Sequence, residues 1–291
     1  RRQADPVKMN VLAETRARPK SRGSAARRLV LRAVLCFALM IAQNAAALAE
    51  TESGDSAIRK GYADTPMGQV HYYIGGLDRA SLQPPLICLH HIPESGAIFH
   101  EFMKRVGRSR PVIAFDLPGY GNSDRPPAPP RIEDYAAWIG AAIDNMSATE
   151  KLPATVDVLG TLTGAFVAAE LALTRPDRTR KVILVSAPIL TAEERARWTD
   201  SLDATREWAA VRADGQHLVD RWQSRVNTRD QRQSLEMYMD SFVDSLKSGD
   251  AFWWGEQAAL NYSAEQRFPL IASDTLLVLF NNVIFNHTER T

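Results

Sequence analysis

The stretch Val158-Leu159-Gly160-Thr161-Leu162-Thr163-Gly164-Ala165 decides the fold. It joins an apolar run that begins at Val156 to the helical pattern Ala165–Thr174. Two glycines stand two positions either side of Leu162, and a sharp strand-to-helix turn needs small residues there because its backbone segments crowd together. The stretch therefore predicts an elbow that places the Leu162 side chain above the end of a strand.

Four further apolar runs lie on either side of this elbow: Leu86–Leu89, Val112–Phe115, Val182–Val185 and Leu276–Leu279. Short continuous apolar runs are typical of strands buried on both faces of a parallel sheet. Helical patterns at Ala97–Val106 and Ile132–Met146 alternate with them. We therefore predict an α/β fold with a doubly wound, mostly parallel sheet, preceded by a β-hairpin over residues 61–75.

The strand pattern is interrupted between Thr191 and Gln266, where amphipathic helical patterns follow one another. They cover Ala192–Ala213, His217–Arg225 and Gln231–Leu246. An insertion at this point predicts a helical cap over the strand ends, and a separate helical domain is the alternative. We accordingly divide the chain into an export signal (1–49), a first part of the core (50–190), the cap (191–266) and a last, truncated part of the core (267–291).

The first 49 residues differ in composition from the rest of the chain. They hold ten Lys and Arg against Asp5 and Glu14, so the net charge of +1 for the whole chain leaves −7 for residues 50–291. The basic excess thus belongs to the leader, and we expect no nucleic-acid partner. Beyond the leader a single cysteine, Cys88, remains, which excludes an internal disulfide.

The leader contains the parts of a secretory signal. Arg27-Arg28 precedes a short apolar run, and the small-residue exit Ala47-Leu48-Ala49 follows it. The run is shorter than the roughly 20 residues that span a bilayer. We therefore predict cleavage before Glu50 and a periplasmic or secreted protein with no stable membrane anchor. Residues 26–32 also resemble a twin-arginine signal.

Three more segments follow predicted strands. These are His90-His91-Ile92-Pro93, Asp116-Leu117-Pro118-Gly119-Tyr120-Gly121-Asn122-Ser123-Asp124 and Val185-Ser186-Ala187-Pro188. Together with the elbow they resemble the α/β-hydrolase family, especially its capped branch of epoxide hydrolases, haloalkane dehalogenases and small esterases. The resemblance runs from about Gly61 to Phe280. It implies a ligand site at the carboxyl edge of the sheet.

The resemblance also implies a role for particular positions. Leu162 occupies the nucleophile position but has no nucleophilic atom, and the backbone N–H groups of Thr163 and Ile92 are expected to bind an oxyanion. Asn282 occupies the position of the triad acid and cannot carry its charge. Because the family histidine is also not found in the sequence, no intact Ser-His-Asp triad is predicted.

Two histidines of the first loop are candidate binding residues. His90 opens the loop, where bracing of the backbone is the alternative to ligand contact. His91 replaces a family glycine and is expected at the mouth of the pocket. No close spacing of His, Asp and Glu suits a metal ion, and no phosphate-binding or dinucleotide-binding motif occurs, so we expect neither a metal nor a cofactor.

Two functions remain open from the sequence. The first is an exported hydrolase of a small apolar ester, epoxide or related substrate. Because no elbow serine exists, its attacking group would be a bound water or a group supplied by a C-terminal segment missing from the sequence. The second is a catalytically inactive hydrolase-fold protein that binds a small molecule or a partner. The glycines and the His90–Pro93 loop favour the first function, whereas Leu162 favours the second.

Overall fold

The computed structural model of the protein describes residues 57–77, 83–231 and 233–278. In these ranges the chain forms a seven-stranded sheet with the order β1-β2-β4-β3-β5-β6-β7. The strands are β1 (Arg59–Thr65), β2 (Gly68–Gly75), β3 (Leu86–Leu89), β4 (Val112–Phe115), β5 (Val156–Thr161), β6 (Thr179–Val185) and β7 (Asp274–Val278).

The five predicted apolar runs form the adjacent strands β3 to β7, and all of these run parallel. This confirms the predicted doubly wound, mostly parallel α/β sheet. Every residue of β3 and β4 is buried, as expected for central strands. The last run differs, since Leu276 is 57% exposed. β7 stands at the end of the strand order of the described sheet and pairs there with β6 on one side.

The predicted hairpin is formed by β1 and β2, which are antiparallel to each other. The Thr65 hydroxyl closes the turn: it donates to the Gly68 carbonyl at 2.6 Å and accepts the Met67 N–H at 3.3 Å. Gly68 has a φ of +126°, a conformation that glycine adopts without steric cost. β2 in turn pairs antiparallel with β4, which joins the hairpin to the parallel part of the sheet.

Three helices follow strands of the core: α1 (His100–Val106), α2 (Ile132–Thr149) and α3 (Thr163–Thr174). The inner face of α2 is made of Tyr135, Ile139 and Ile143, which recur at helical spacing and are all buried. They belong to one hydrophobic cluster with side chains of β2, β4 and β5. This packing fixes α3, and with it the elbow, against the sheet.

The insertion between β6 and β7 is helical in its described part. Its helices are α4 (Ala192–Trp208), α5 (Gln216–Asn227), α6 (Leu235–Leu246), α7 (Trp254–Leu260) and α8 (Ala264–Arg267). α4 ends five residues before the predicted Ala213, and α6 begins at Leu235 because Ser234 caps its N-terminus. α7 and α8 are too short to show a periodic pattern in the sequence. No helix in the described part of the chain is long and apolar enough to cross a bilayer.

A buried carboxylate ties α3 to the end of the insertion. Glu170 is 1% exposed and accepts hydrogen bonds from the Tyr262 hydroxyl at 2.8 Å and from Arg267 Nε at 3.0 Å. Arg267 Nη2 also reaches Glu170 Oε2, at 2.7 Å. Such a buried charge is tolerated because it is fully paired. The helix that begins at the elbow is therefore anchored to the segment that leads back into β7.

Candidate active site

The elbow forms where the sequence predicts it, between β5 and α3. Leu162 has φ +49° and ψ −115°, a backbone conformation that residues other than glycine rarely adopt. Its N–H donates to the Val185 carbonyl at 3.0 Å, and its carbonyl accepts the Ala165 N–H at 2.8 Å. The turn is thus held by β6 on one side and by the first turn of α3 on the other.

The two elbow glycines are required by close backbone contacts. A Cβ atom at Gly160 would lie 2.1 Å from the carbonyl oxygen of Gly164. A Cβ atom at Gly164 would lie 2.2 Å from the carbonyl oxygen of Leu89 and 2.6 Å from that of His90. Because these neighbours are main-chain atoms of α3, of β3 and of the loop after β3, neither position can accept a side chain without moving the core.

The Leu162 side chain faces a cavity of about 240 Å³ between the core and the inserted helices. Ile92, His91 and Thr163 line the same cavity, so the structure brings together most of the positions that the sequence singles out. The remaining wall is mainly apolar and includes Phe166, Pro188, Leu190, Trp198 and Leu260. A small, largely apolar molecule fits a space with these walls.

The two residues expected to supply the oxyanion donors both line the cavity beside Leu162. Thr163 is the first residue of α3, and the N–H groups of a first helical turn have no intrahelical acceptor. Ile92 belongs to the loop after β3 and borders the same cavity. A developing negative charge near Leu162 would therefore meet backbone donors and the positive end of a helix.

His90 lies behind this loop and not in the cavity wall. Its ring is fully buried, Nε2 accepts the Leu117 N–H at 2.8 Å, and Nδ1 therefore carries the proton that it donates to the His91 carbonyl at 2.8 Å. Burial lowers the pKa of His90, which keeps the ring neutral. This corrects the assignment of His90 to ligand binding, because both ring nitrogens brace the loop.

His91 stands at the cavity and is one-third exposed. Its Nε2 lies 3.3 Å from Glu94 Oε2, and its Nδ1 lies 3.5 Å from the Thr161 hydroxyl oxygen. A carboxylate that accepts the Nε2 proton fixes the tautomer and leaves the Nδ1 lone pair free to accept a proton. The imidazole is thus oriented as a base beside the elbow.

The Glu94 carboxylate is itself buried and held by the inserted helices. Arg225 of α5 donates to Glu94 Oε1, and Ser241 of α6 donates to the same oxygen at 3.1 Å. Burial alone would raise the pKa of Glu94, but the neighbouring His91 and the Arg225 guanidinium hold it below its usual value. Glu94 is therefore ionised near neutral pH and can stabilise a protonated His91.

Glu94 was not among the residues that the sequence singles out. The signal available in the sequence is its position three residues after His91, within the same loop. Its partner Arg225 is 131 residues away along the chain. This ion pair depends on how the insertion packs on the core, which no local pattern shows.

The loop after β4 supports the site without facing the cavity. The Asp116 carboxylate accepts the N–H groups of Gly96 at 2.8 Å and Asn122 at 2.9 Å. It also pairs with His71 Nδ1 at 2.8 Å, and His71 is 2% exposed. The His71 side chain therefore points inward from β2, where it is the partner of a buried carboxylate.

Tyr120 of the same loop connects the core to α7. Its hydroxyl accepts the Gly255 N–H at 2.8 Å and donates to the Ala251 carbonyl at 3.3 Å. At Gly255 a Cβ atom would lie 2.8 Å from the Ile92 side chain and 3.2 Å from that of Thr163. α7 is thus packed directly on the oxyanion loop and the elbow.

Asn282, the residue at the acid position, lies outside the described residues.

Among residues 57–77, 83–231 and 233–278, no group of three or more His, Cys, Asp and Glu side chains is placed to hold a metal ion. Phe252 and Trp253 line a second cavity within the inserted helices.

The family model described as the alpha/beta hydrolase fold matches residues 84–279, which cover strands β3 to β7, the elbow and the insertion. The chain belongs to the α/β-hydrolase family. A hydrolase from Pseudomonas aeruginosa is similar in structure, with a TM-score of 0.59 and 17% identity over 81% of this chain and 85% of that one. An epoxide hydrolase from Vigna radiata gives a TM-score of 0.58 with 17% identity, over 76% of this chain and 78% of its own.

Two curated proteins are similar in sequence. A pimeloyl-[acyl-carrier protein] methyl ester esterase of Aeromonas hydrophila is 30% identical over 40% of this chain and 44% of its own length. A proline iminopeptidase of Heyndrickxia coagulans is 27% identical over 70% of this chain and 67% of its own length. The chain thus spans less than half the length of the first of these relatives.

Proposed function

We propose that the protein is an exported hydrolase of small, largely apolar esters, epoxides or related substrates, and that it attacks with a water molecule activated by His91. The observation that carries this proposal is the His91–Glu94 pair, in which an oriented imidazole faces a small apolar cavity beside the elbow. Esterases and epoxide hydrolases among the relatives support the reaction class. The leader of residues 1–49 supports export.

The reaction with an ester follows from the positions of the donors and the base. His91 Nδ1 takes a proton from a water whose oxygen attacks the ester carbonyl carbon. The N–H groups of Ile92 and Thr163 bind the resulting oxyanion, and the Glu94 carboxylate stabilises the imidazolium. The tetrahedral intermediate then expels the alcohol, which receives the proton from His91, and the carboxylic acid is released.

Two neighbours of His91 support water as the attacking group. Leu162 carries no nucleophilic atom, although it occupies the elbow tip. The Thr161 hydroxyl lies 3.5 Å from His91 Nδ1, and we assign it to the orientation of the water rather than to attack on the substrate. No acyl-enzyme intermediate forms in this mechanism.

The test measures turnover of p-nitrophenyl butyrate. His91→Gln should lower kcat by about 100-fold or more, the usual contribution of a general base. Glu94→Gln should lower kcat less and shift the acid limb of the pH–rate profile. His100→Gln is the matched control, since His100 lies outside this cavity against Tyr73, and it should leave kcat unchanged.

Equal turnover of the wild type and His91→Gln would contradict the proposal. An acyl-enzyme burst mapped to Thr161 would also contradict it, because the hydroxyl would then be the nucleophile.

A second candidate function is non-catalytic binding of a small apolar molecule in the same cavity. The observation that favours it is the Leu162 side chain, which supplies an apolar floor where the family places a reactive group. Saturable ligand binding by a protein with no turnover of any activated ester would support this function over the first.

A further inference from the structure

One ionisable side chain of the cavity has no role in the chemistry described above. Glu256 of α7 lines the cavity that contains Leu162 and His91, on the side formed by the inserted helices. Most of its neighbours in the wall are apolar, among them Leu260 and Trp198. The cavity therefore has oxyanion donors and a base on its core side and a carboxyl group on its cap side.

Glu256 makes no hydrogen bond or ion pair with any residue that the structure describes. Arg195, which lines the same cavity, is engaged elsewhere: it donates to the carbonyl groups of Leu260 and Tyr262 and pairs with Glu265 at 3.5 Å. Burial without a counter-charge raises the pKa of Glu256. An unpaired carboxyl in an apolar wall is costly unless a ligand supplies the missing partner.

We propose that Glu256 is the specificity-determining residue of the cavity and binds a protonated amine of the substrate. The inference rests on the proposed function, since it takes the same cavity as the substrate site and narrows the substrate class to small amino esters or related amines. The ammonium supplies hydrogen-bond donors and a positive charge to the carboxylate. The apolar walls take up the hydrocarbon part of the molecule.

The position of Glu256 is fixed by its neighbours in the chain. Gly255 is held by the Tyr120 hydroxyl and packs against Ile92 and Thr163. The backbone that carries Glu256 is therefore held beside the residues expected to supply the oxyanion donors. A substrate whose amine and carbonyl are separated by a short apolar spacer can occupy both ends of the cavity, whereas a neutral analogue of the same shape leaves the carboxyl unpaired.

The experiment compares three probes of one shape by isothermal titration calorimetry: benzylamine, benzyl alcohol and benzoate. The wild type should bind benzylamine at least tenfold more tightly than benzyl alcohol, with benzoate the weakest. Glu256→Gln, which keeps the shape of the side chain, should bind the amine and the alcohol equally. Glu193→Gln removes the same charge from an exposed position of α4 and should keep the wild-type preference.

Equal binding of amine and alcohol by the wild type would overturn the proposal without reference to any variant. A preference for the amine that survives in both Glu256→Gln and Glu256→Leu would overturn it as well. Tightest binding of benzoate would mean that Glu256 is a neutral acid that donates a hydrogen bond. Since the readout is binding, selective capture of benzylamine by a protein with no esterase activity would defeat the proposed function and leave this inference standing.

Discussion

Leu162 holds its backbone in a conformation that costs of the order of 1–3 kcal/mol for a residue with a side chain. In a serine hydrolase that cost positions a nucleophile, whereas here it positions an isobutyl group at a cavity. The strain is maintained by the surrounding contacts and not by any reaction at the tip. The chemistry of this protein must therefore be sought in the side chains beside the tip, above all His91.

The change Leu162→Ser tests this conclusion. A serine hydroxyl at the tip needs a base within hydrogen-bond reach, and His91 Nδ1 faces Thr161 instead. We expect neither the wild type nor the variant to be labelled appreciably by a fluorophosphonate, as measured by mass spectrometry of the intact protein. Triad members act as a unit, so a serine alone restores little nucleophilic reactivity. Strong labelling of the variant at position 162 would show that a base does reach the tip.

At the scale of single residues, the sequence shows where steric crowding demands a small residue. It shows less about which side chains pair with one another. Gly160 and Gly164 could be assigned because a tight turn permits few residue types. His91 could be placed at the pocket, but its partner Glu94 and the free carboxyl of Glu256 could not. Their roles depend on contacts between segments that are far apart in the chain.

At the scale of elements, the loop that follows β4 is organised around the Asp116 carboxylate. Burial would raise the pKa of this group, yet the hydrogen bond from His71, the nearby His90 and the Asn122 N–H together lower it below its ordinary value of 3.8. A folded-state pKa below the unfolded value means that the carboxylate stabilises the fold above about pH 4. That contribution is lost as the pH falls through the folded-state pKa.

The change Asp116→Asn should therefore lower the free energy of unfolding at pH 7 by roughly 1.5–3 kcal/mol, the range for a hydrogen bond to a charged group. The difference from the wild type should shrink as the pH falls below about 4, because the carboxyl of the unfolded wild-type chain takes up a proton there before that of the folded chain does. Urea unfolding at pH 7 and pH 3 measures both quantities. Asp124→Asn changes an exposed carboxylate of the same loop and should lower the free energy of unfolding by less than Asp116→Asn does. An equal loss of stability in the two variants, independent of pH, would refute this account.

The strands and the core helices could be predicted because burial on two faces imposes continuous apolar runs and helical spacing. The inserted helices were predicted less well. α4 ends at Trp208 rather than Ala213, since the boundary is set by the chain's return towards α5 and not by a change in composition. α7, which carries Glu256, has seven residues and shows no periodicity that a sequence pattern could detect.

At the scale of the whole molecule, the charge is divided between the leader and the rest of the chain. Residues 1–49 carry the basic excess, and residues 50–291 are net acidic. We expect export to remove the basic part and to release a protein that begins at Glu50. N-terminal sequencing of the protein from the periplasm or the medium measures the cleavage site. Ala49→Leu, which enlarges the small residue that a signal peptidase needs, should block processing, and an uncleaved wild type in the membrane fraction would refute the prediction.

The clash distances at Gly160 and Gly164 have a further consequence for the design of new proteins. Both glycines are fixed by main-chain atoms, and neither contact involves the side chain at position 162. The backbone geometry of the turn therefore does not depend on which side chain stands at position 162. An engineer could install cysteine, aspartate or a synthetic amino acid there and expect the same backbone beneath each one. Different reactive side chains at position 162 could then be compared with one another in a single unchanged pocket.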